Sequence, residues 1–371
     1  MQHWSQAKIT AFQDALLTWY DQEKRDLPWR QDHEPYHIWV SEIMLQQTQV
    51  QTVIPYYQRF MTTFPTVTAL AAAPEDKLLR AWAGLGYYSR VRNMQKAAQQ
   101  VVEDYQGVWP QTAAELEKLA GIGPYTAGAI ASIAFNQPIP AIDGNAFRVF
   151  ARLFEIDADI AKPQTRQIFY DVIEEVIATE RPGDFNQAIM DLGSSYMTAK
   201  NPDSAHSPVR DFNQAYLDGK ELDYPVKSKK PRPIAMDYFA LVIKTPTGYL
   251  FEQRPSNGML AELWTVPLIK WSELAEKPSE LLLPDLVKLA TNQFLTNTQI
   301  QLAPMLLGGR PVTHTFTHQK WLITLLYAEL AQEPDLSYFP GRVVAPTDFI
   351  ELAQPKVQLK IWQRYQQLGG H

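Results

Sequence analysis

Two carboxylates stand apart from the rest of this 371-residue chain. Between Glu34 and Glu75 the only acid is Glu42, in "WVSEIMLQQTQV"; between Glu117 and Glu155 the only acid is Asp143, in "IPAIDGNAF". Residues 77–102 hold five basic side chains and no acid. A region that sheds carboxylates except at two points suits a surface that meets an anion and keeps two acids for chemistry. Glu42 lies at helical spacing from Ile38, Trp39 and Leu45, on a partly apolar face where desolvation helps a carboxyl keep its proton. Asp143 precedes the helical pattern "NAFRVFARLF", among N–H groups that favour its charged form. One proton donor and one anion together can serve as a general acid and a stabiliser of developing positive charge. The plain readings are a solvated helix residue and a helix cap; a cap is compatible with catalysis.

The elements that must position these acids are legible from spacing. Residues 1–220 read as helical, with apolar residues at helical intervals in "TAFQDALLTWY", "HIWVSEIMLQ", "PEDKLLRAW", "AAELEKLA", "TAGAIASIAF", "NAFRVFARLF" and "IFYDVIEEVIA". Residues 221–233 are polar, basic and Pro-containing, a linker. Residues 234–371 change texture. "IAMDYFALVIKTPTGYLFEQRP" predicts two strands joined at "TPTG", and "HTFTHQKWLITLLYAEL" predicts a second pair. "SELAEKPSELLLPDLVKLATNQFL" and "FIELAQPKVQLKIWQRYQQL" predict helices, which makes this half α+β.

Composition narrows the function. With no cysteine, disulfides, thiolate nucleophiles and cysteine-held clusters are excluded, and seven scattered histidines show no metal-binding spacing. The net charge is −6, but residues 1–225 carry the acidic excess and the remainder is net basic. No apolar run reaches membrane-spanning length, and the start lacks the marks of a signal peptide, so a cytoplasmic protein is expected.

Residues 119–135, "LAGIGPYTAGAIASIAF", have the pattern of a helix-hairpin-helix: a tight Gly-x-Gly turn, then Pro124 where a first helical turn accepts proline. Gly121 and Gly123 let a phosphate approach the backbone. With "LPWR" (27–30), "GLGYYSRVRN" (84–93), "DGN" (143–145), "FNQAIMDLG" (185–193), "RPSNGMLAELWTVP" (254–267) and "HTFTH" (314–318), the sequence resembles the MutY family of adenine DNA glycosylases over nearly its whole length. The resemblance implies a helical glycosylase domain of two subdomains and a C-terminal Nudix-like domain. It implies that Glu42 protonates adenine, that Asp143 stabilises the sugar cation, and that Tyr125 and Asn145 support them. Arg25, Leu27, Trp29, Arg30, Leu45 and Gln187 match the adenine pocket; Gln187 stands where relatives often have Glu. Gln46, Gln47, Thr48, Leu85 and Tyr87 match residues that intercalate or touch the oxidised guanine. Phe316, Thr317 and His318 match a Phe-Ser-His that reads it, with Thr replacing Ser.

The resemblance also implies the substrate: double-stranded DNA carrying adenine opposite 8-oxoguanine or guanine, acted on by a monomer that flips the adenine out. Tyr125 stands where lyase relatives have a lysine nucleophile, so a monofunctional enzyme is expected. A bifunctional glycosylase/lyase and a catalytically silent mismatch-binding protein are the alternative readings. The family's four cluster-binding cysteines correspond by spacing to Met197, Ser204, Ser207 and Asn213. No [4Fe–4S] cluster is therefore expected, only backbone carbonyls at the hairpin free to take a monovalent cation. The Nudix-like half lacks the acidic R-E-x-x-E-E core, which argues against pyrophosphate hydrolysis.

Overall fold

The structure, a computed structural model, describes residues 3–229 and 231–370. The chain forms two compact units: residues up to 74 together with 89–229, and residues 75–88 together with those from 230 onward. Helices α1 (Gln6–Glu23), α2 (Pro35–Leu45), α3 (Val50–Thr63) and α4 (Val67–Ala71) open the first unit; α5 (Glu75–Trp82) belongs to the second. The first then continues through α6 (Ser89–Asp104), α7 (Ala113–Leu116), α8 (Pro124–Phe135), α9 (Gly144–Phe154), α10 (Thr165–Val176), α11 (Pro182–Ser195) and α12 (Gln214–Leu217). The expected helix in "AAELEKLA" shrinks to one turn, α7, before the hairpin bend.

Two helical groups make up the first unit. In one, Ile9, Phe12, Leu16 and Tyr20 form the buried face of α1, at the 3–4 residue spacing of an amphipathic helix, and pack on α9, α10 and α11. Each such side chain, fully buried, contributes about 2 kcal/mol. In the other, Trp39 of α2 is fully buried against Trp109, and Phe60 of α3 meets Phe64 edge-on. The segment leading to Asp143 is fixed from both sides. Gly128 of α8 allows the carbonyl of Pro140 to come so near that a Cβ there would lie 2.6 Å from it. Asn186 of α11 accepts from the Ala141 N–H at 3.1 Å and donates to the Ile139 carbonyl at 2.9 Å.

Past α11 the chain loops through residues 196–224 without thiolates. The four positions that the family's cysteines would occupy are all buried. Met197 joins the α1/α9/α11 core. The Ser204 hydroxyl bonds the Glu221 carboxylate, and Asn213 donates to both, at 3.1 Å and 3.3 Å. Tyr196 and Phe212 pin the loop by packing, Tyr196 edge-on to Trp19 and Phe212 edge-on to Phe12.

The second unit is one mixed sheet with a helix on each face. β1 (Ile234–Lys244) and β2 (Tyr249–Gln253) are the antiparallel pair read at "TPTG". β6 (Val312–Thr315) and β7 (Gln319–Glu329) are the second pair. Short strands β3 (Trp264–Thr265), β4 (Leu268–Lys270), β5 (Met305–Leu306) and β8 (Gly341–Val344) extend the sheet. β1 pairs in parallel with β7 from Ile234↔Gln319 to Lys244↔Glu329. Tyr238, Ala240 and Val242 point to the core covered by α14 (Lys356–Gln367); Phe239, Leu241 and Ile243 point to that covered by α13 (Leu283–Thr298). Burial on both faces explains why this strand reads as an unbroken apolar run. Both expected helices start later than their patterns suggested, α13 with Pro284 in its first turn and α14 with Pro355 as its cap, and short 3-10 turns precede them. No helix among the described residues is long and apolar enough to cross a membrane.

Because both rings are only partly buried, Tyr196→Ala with Phe212→Ala should remove roughly 2–3 kcal/mol per ring. Thermal unfolding of the double variant checks this; an unchanged midpoint would show that the loop is held without them.

Candidate active site

α2 begins at Pro35, buries almost all its surface and carries Glu42 inward, 5% exposed. Tyr125 enters at the second position of α8, just after the hairpin, and its hydroxyl donates to Glu42 Oε2. Burial pushes the Glu42 carboxyl up to about 7. The Tyr125 hydroxyl draws it down, the charge of Asp143 pushes it up, and Arg30 draws it down. Tyr125 is itself held neutral, first by burial and then by the nearby carboxylates, so it keeps the proton with which it binds Glu42.

Asp143 is the N-cap of α9, and its cap geometry is what aims it. Oδ1 accepts from the N–H groups of Asn145 and Ala146, each at 2.8 Å, and Oδ2 accepts from the Asn145 side chain at 2.7 Å. Burial raises its pKa, while these donors and Arg148 oppose the rise. Glu42 has one donor hydroxyl where Asp143 has three N–H donors. Shared between them, a proton belongs on Glu42, because hydrogen bonds to the charged form favour Asp143 as the anion.

Both acids open into one cavity of about 620 Å³ in the first unit. Tyr125, Asn145, Leu27, Trp29, Leu45 and Gln187 line it, as do Arg25, Arg30 and the turn Gln46, Gln47 and Thr48. The arginines are not loose charges. Asp191 of α11 binds both: Arg30 Nη1 donates to Oδ2 at 2.7 Å and Arg25 Nε to Oδ1 at 2.8 Å. Asp191 lies within the motif "FNQAIMDLG", yet its role was not assigned from sequence; a buried acid following two arginines on the other side of the cavity is visible only in the fold.

Two further residues escaped sequence reasoning. Arg148 donates to Asn145 Oδ1, the Gly193 carbonyl and the Met197 carbonyl, each at 2.6 Å, tying the partner of Asp143 to the loop beyond α11. Its place three residues after Asn145 on a helix was the available signal. Arg90 caps the C-terminal end of α2, donating to the carbonyls of Ile43 and Gln46 at 2.7 Å each. Just beyond, Gln47 takes a left-handed φ of 62° and turns the Gln46–Thr48 segment outward.

The remaining predicted residues lie outside this cavity. At the hairpin, Gly121 has φ 74°, and a Cβ there would press on Asn93 at 2.7 Å; Gly123 caps α8. In the second unit, Leu85 is buried and Tyr87 is half exposed at φ 49°. The Tyr87 hydroxyl lies 3.1 Å from Thr317 Oγ1. Thr317 and His318 are exposed at the β6–β7 tip, while Phe316 packs edge-on to Trp321. The neighbouring Tyr88 is buried, its hydroxyl donating to the Gln354 carbonyl at 3.1 Å.

Residues 40–175 match the HhH-GPD superfamily of base excision DNA repair proteins, and residues 238–364 match the NUDIX domain. The chain is 35% identical to the human adenine DNA glycosylase over 97% of its own length and 75% of the human protein's. The Arabidopsis thaliana adenine DNA glycosylase is 38% identical over 70% of this chain and 48% of that protein. A thermostable thymine-DNA glycosylase of known structure superimposes with a TM-score of 0.53 at 23% identity, covering 57% of this chain and 98% of that one.

Glu42 has a stability consequence that does not depend on turnover. Its pKa in the folded chain is raised from 4.5 to about 7, so the folded state is favoured below pH 4.5 and loses that advantage as pH rises through 7. Glu42→Gln should therefore stabilise the protein at pH 8 relative to pH 5, by up to roughly 3 kcal/mol. Denaturant unfolding at both pH values checks this, and an equal shift at the two would mean that Glu42 is not protonated in the native state.

Proposed function

The chain belongs to the adenine DNA glycosylase family, and we propose that this DNA glycosylase removes adenine paired with 8-oxoguanine or guanine, without cutting the strand. The observation that carries the reading is the placement of a buried Glu42, whose carboxyl burial pushes up to about 7, with a hydrogen-bonded Asp143 on one cavity. An adenine turned out of the duplex enters that cavity, where Trp29, Leu27 and Leu45 offer apolar walls and Gln187 offers an amide to its polar edge. Glu42 donates its proton to the ring. The C1′–N9 bond breaks, the electron pair leaves with the base, and the Asp143 carboxylate faces the sugar cation. Water adds at C1′ and its proton returns to Glu42. Arg25 and Arg30 border the pocket and share the single Asp191 carboxylate; of the two, Arg30 draws on the Glu42 proton, less strongly than burial holds it.

Tyr125 supplies no amine for an imine, which supports a monofunctional reaction over a lyase. In the second unit, the Tyr87–Thr317 pair and exposed His318 are the surface proposed to meet the oxidised base. The reading includes action as a monomer and without an iron–sulfur cluster. A thioether, two hydroxyls and a carboxamide are poor iron donors, and Ser204 and Asn213 are already engaged with Glu221. A catalytically silent mismatch binder is disfavoured by the intact carboxyl pair.

Single-turnover assays on a duplex holding adenine opposite 8-oxoguanine test this. Adenine should be released, the strand should break only after alkali, and the rate should decline as pH rises past about 7. Glu42→Gln should slow release by about 10³-fold or more while duplex binding persists. Absence of release by the native protein, or near-native release by the variant, overturns the reading; breakage without alkali overturns its monofunctional part.

The cluster-free part is checked separately. Base release should survive exhaustive chelation and the protein should contain no stoichiometric iron; loss of activity on chelation would contradict it.

A further inference from the structure

The second unit has a charge pattern that the reading above leaves unused. Residues 286–328 and 352–371 contain no carboxylate. These segments supply β6, β7 up to Ala328, and α14. On α14, Lys356, Lys360 and Arg364 recur every fourth residue, so they form one stripe. The stripe runs beside β6. Arg364 lies against Gly309, where a Cβ would meet its guanidinium, and Lys360 Nζ donates to the Thr313 carbonyl at 3.1 Å. Lys356, one turn back at the start of the helix, lies near enough to β6 for its charge to act on His314. None of the three has a carboxylate within ion-pair distance among the described residues.

His314, under Phe316 on β6, reports the field these cations make. Burial lowers its pKa to about 4, with Lys360 and Lys356 adding to the fall. The ring is therefore neutral at physiological pH, and the positive charge resides on the lysines and Arg364.

We propose that the Lys356–Lys360–Arg364 stripe is a phosphate-binding track that holds duplex DNA backbone alongside the β6–β7 tip. This rests on the DNA glycosylase reading and adds a second, sequence-independent anchor to it. Unpaired cations in a row with no competing acid fit a polyanion of regular charge spacing. The track positions the duplex; it takes no part in bond cleavage.

The test is the salt dependence of duplex affinity in the full chain. Each phosphate contact adds about 0.9 to the slope of log affinity against log salt. Lys356→Gln/Lys360→Gln should lower that slope by about 2, so a fourfold rise in salt should weaken the native protein about tenfold more than the variant. Lys356→Gln alone, at an exposed position, should give about half the change. Lys277→Gln/Lys288→Gln, which removes the same net charge elsewhere in the unit, should leave the slope unaltered. Base release at saturating enzyme should be native in every variant. An unaltered slope in the stripe variant, or an equal fall in the control pair, overturns the track. Native base release in that same experiment would leave the glycosylase reading standing, and its absence in the native protein would remove that reading instead.

Discussion

A carboxyl group kept out of water governs the first unit. Glu42 can hold a proton near neutrality only while its surroundings stay apolar and nearby cations stay occupied. α2 supplies the first condition by burying nearly its whole circumference. Asp191 supplies the second by gathering Arg25 and Arg30 onto its own oxygens. Tyr125 then gives Glu42 one donor, enough to orient the group without forcing it to ionise. Asp143 completes the division, since three N–H donors make it the better place for negative charge. The two acids are chemically alike, and their environments separate their roles.

α9 transmits that arrangement outward. Asp143 caps it, Asn145 braces Asp143, and Arg148 braces Asn145 while holding the Met197 carbonyl. One turn later, fully buried Arg152 donates to the carbonyls of Thr198, Glu221 and Tyr224. The loop between residues 197 and 224 is thus fastened at both ends to the helix that aims the anion. Side-chain hydrogen bonds and packing hold this loop, and Glu221 is the common acceptor for Ser204 and Asn213.

Much of this was legible in the sequence. The isolation of Glu42 and Asp143 marked them before any fold was known, and helical spacing and cap chemistry assigned them different environments. β1 and β2 announced themselves by an apolar run and a turn. The parallel pairing of β1 with β7 did not, because register between distant strands depends on which faces the rest of the unit covers. Asp191, Arg90 and Arg148 were also hidden. Each acts on partners brought near only by folding, and an arginine or aspartate of that kind resembles a surface charge until its carbonyls or guanidiniums are in view. Helix starts were misjudged where proline fixed them, at Pro284 and Pro355.

The second unit is discontinuous along the chain, since residues 75–88 cluster with strands that begin beyond residue 230. Synthesis from the N-terminus makes that insertion early and its partners late. The Tyr88 bond to the Gln354 carbonyl and the Tyr87 contact with Thr317 cannot form until residues 317 and 354 have left the ribosome. At about 5–20 residues per second these partners follow by roughly ten to fifty seconds. During that interval Leu78, Leu79 and Trp82, buried in the finished protein, belong to a nascent segment whose unit does not yet exist. The excursion at residues 75–88 must wait, shielded or exposed, for the strands beyond residue 230 to be made.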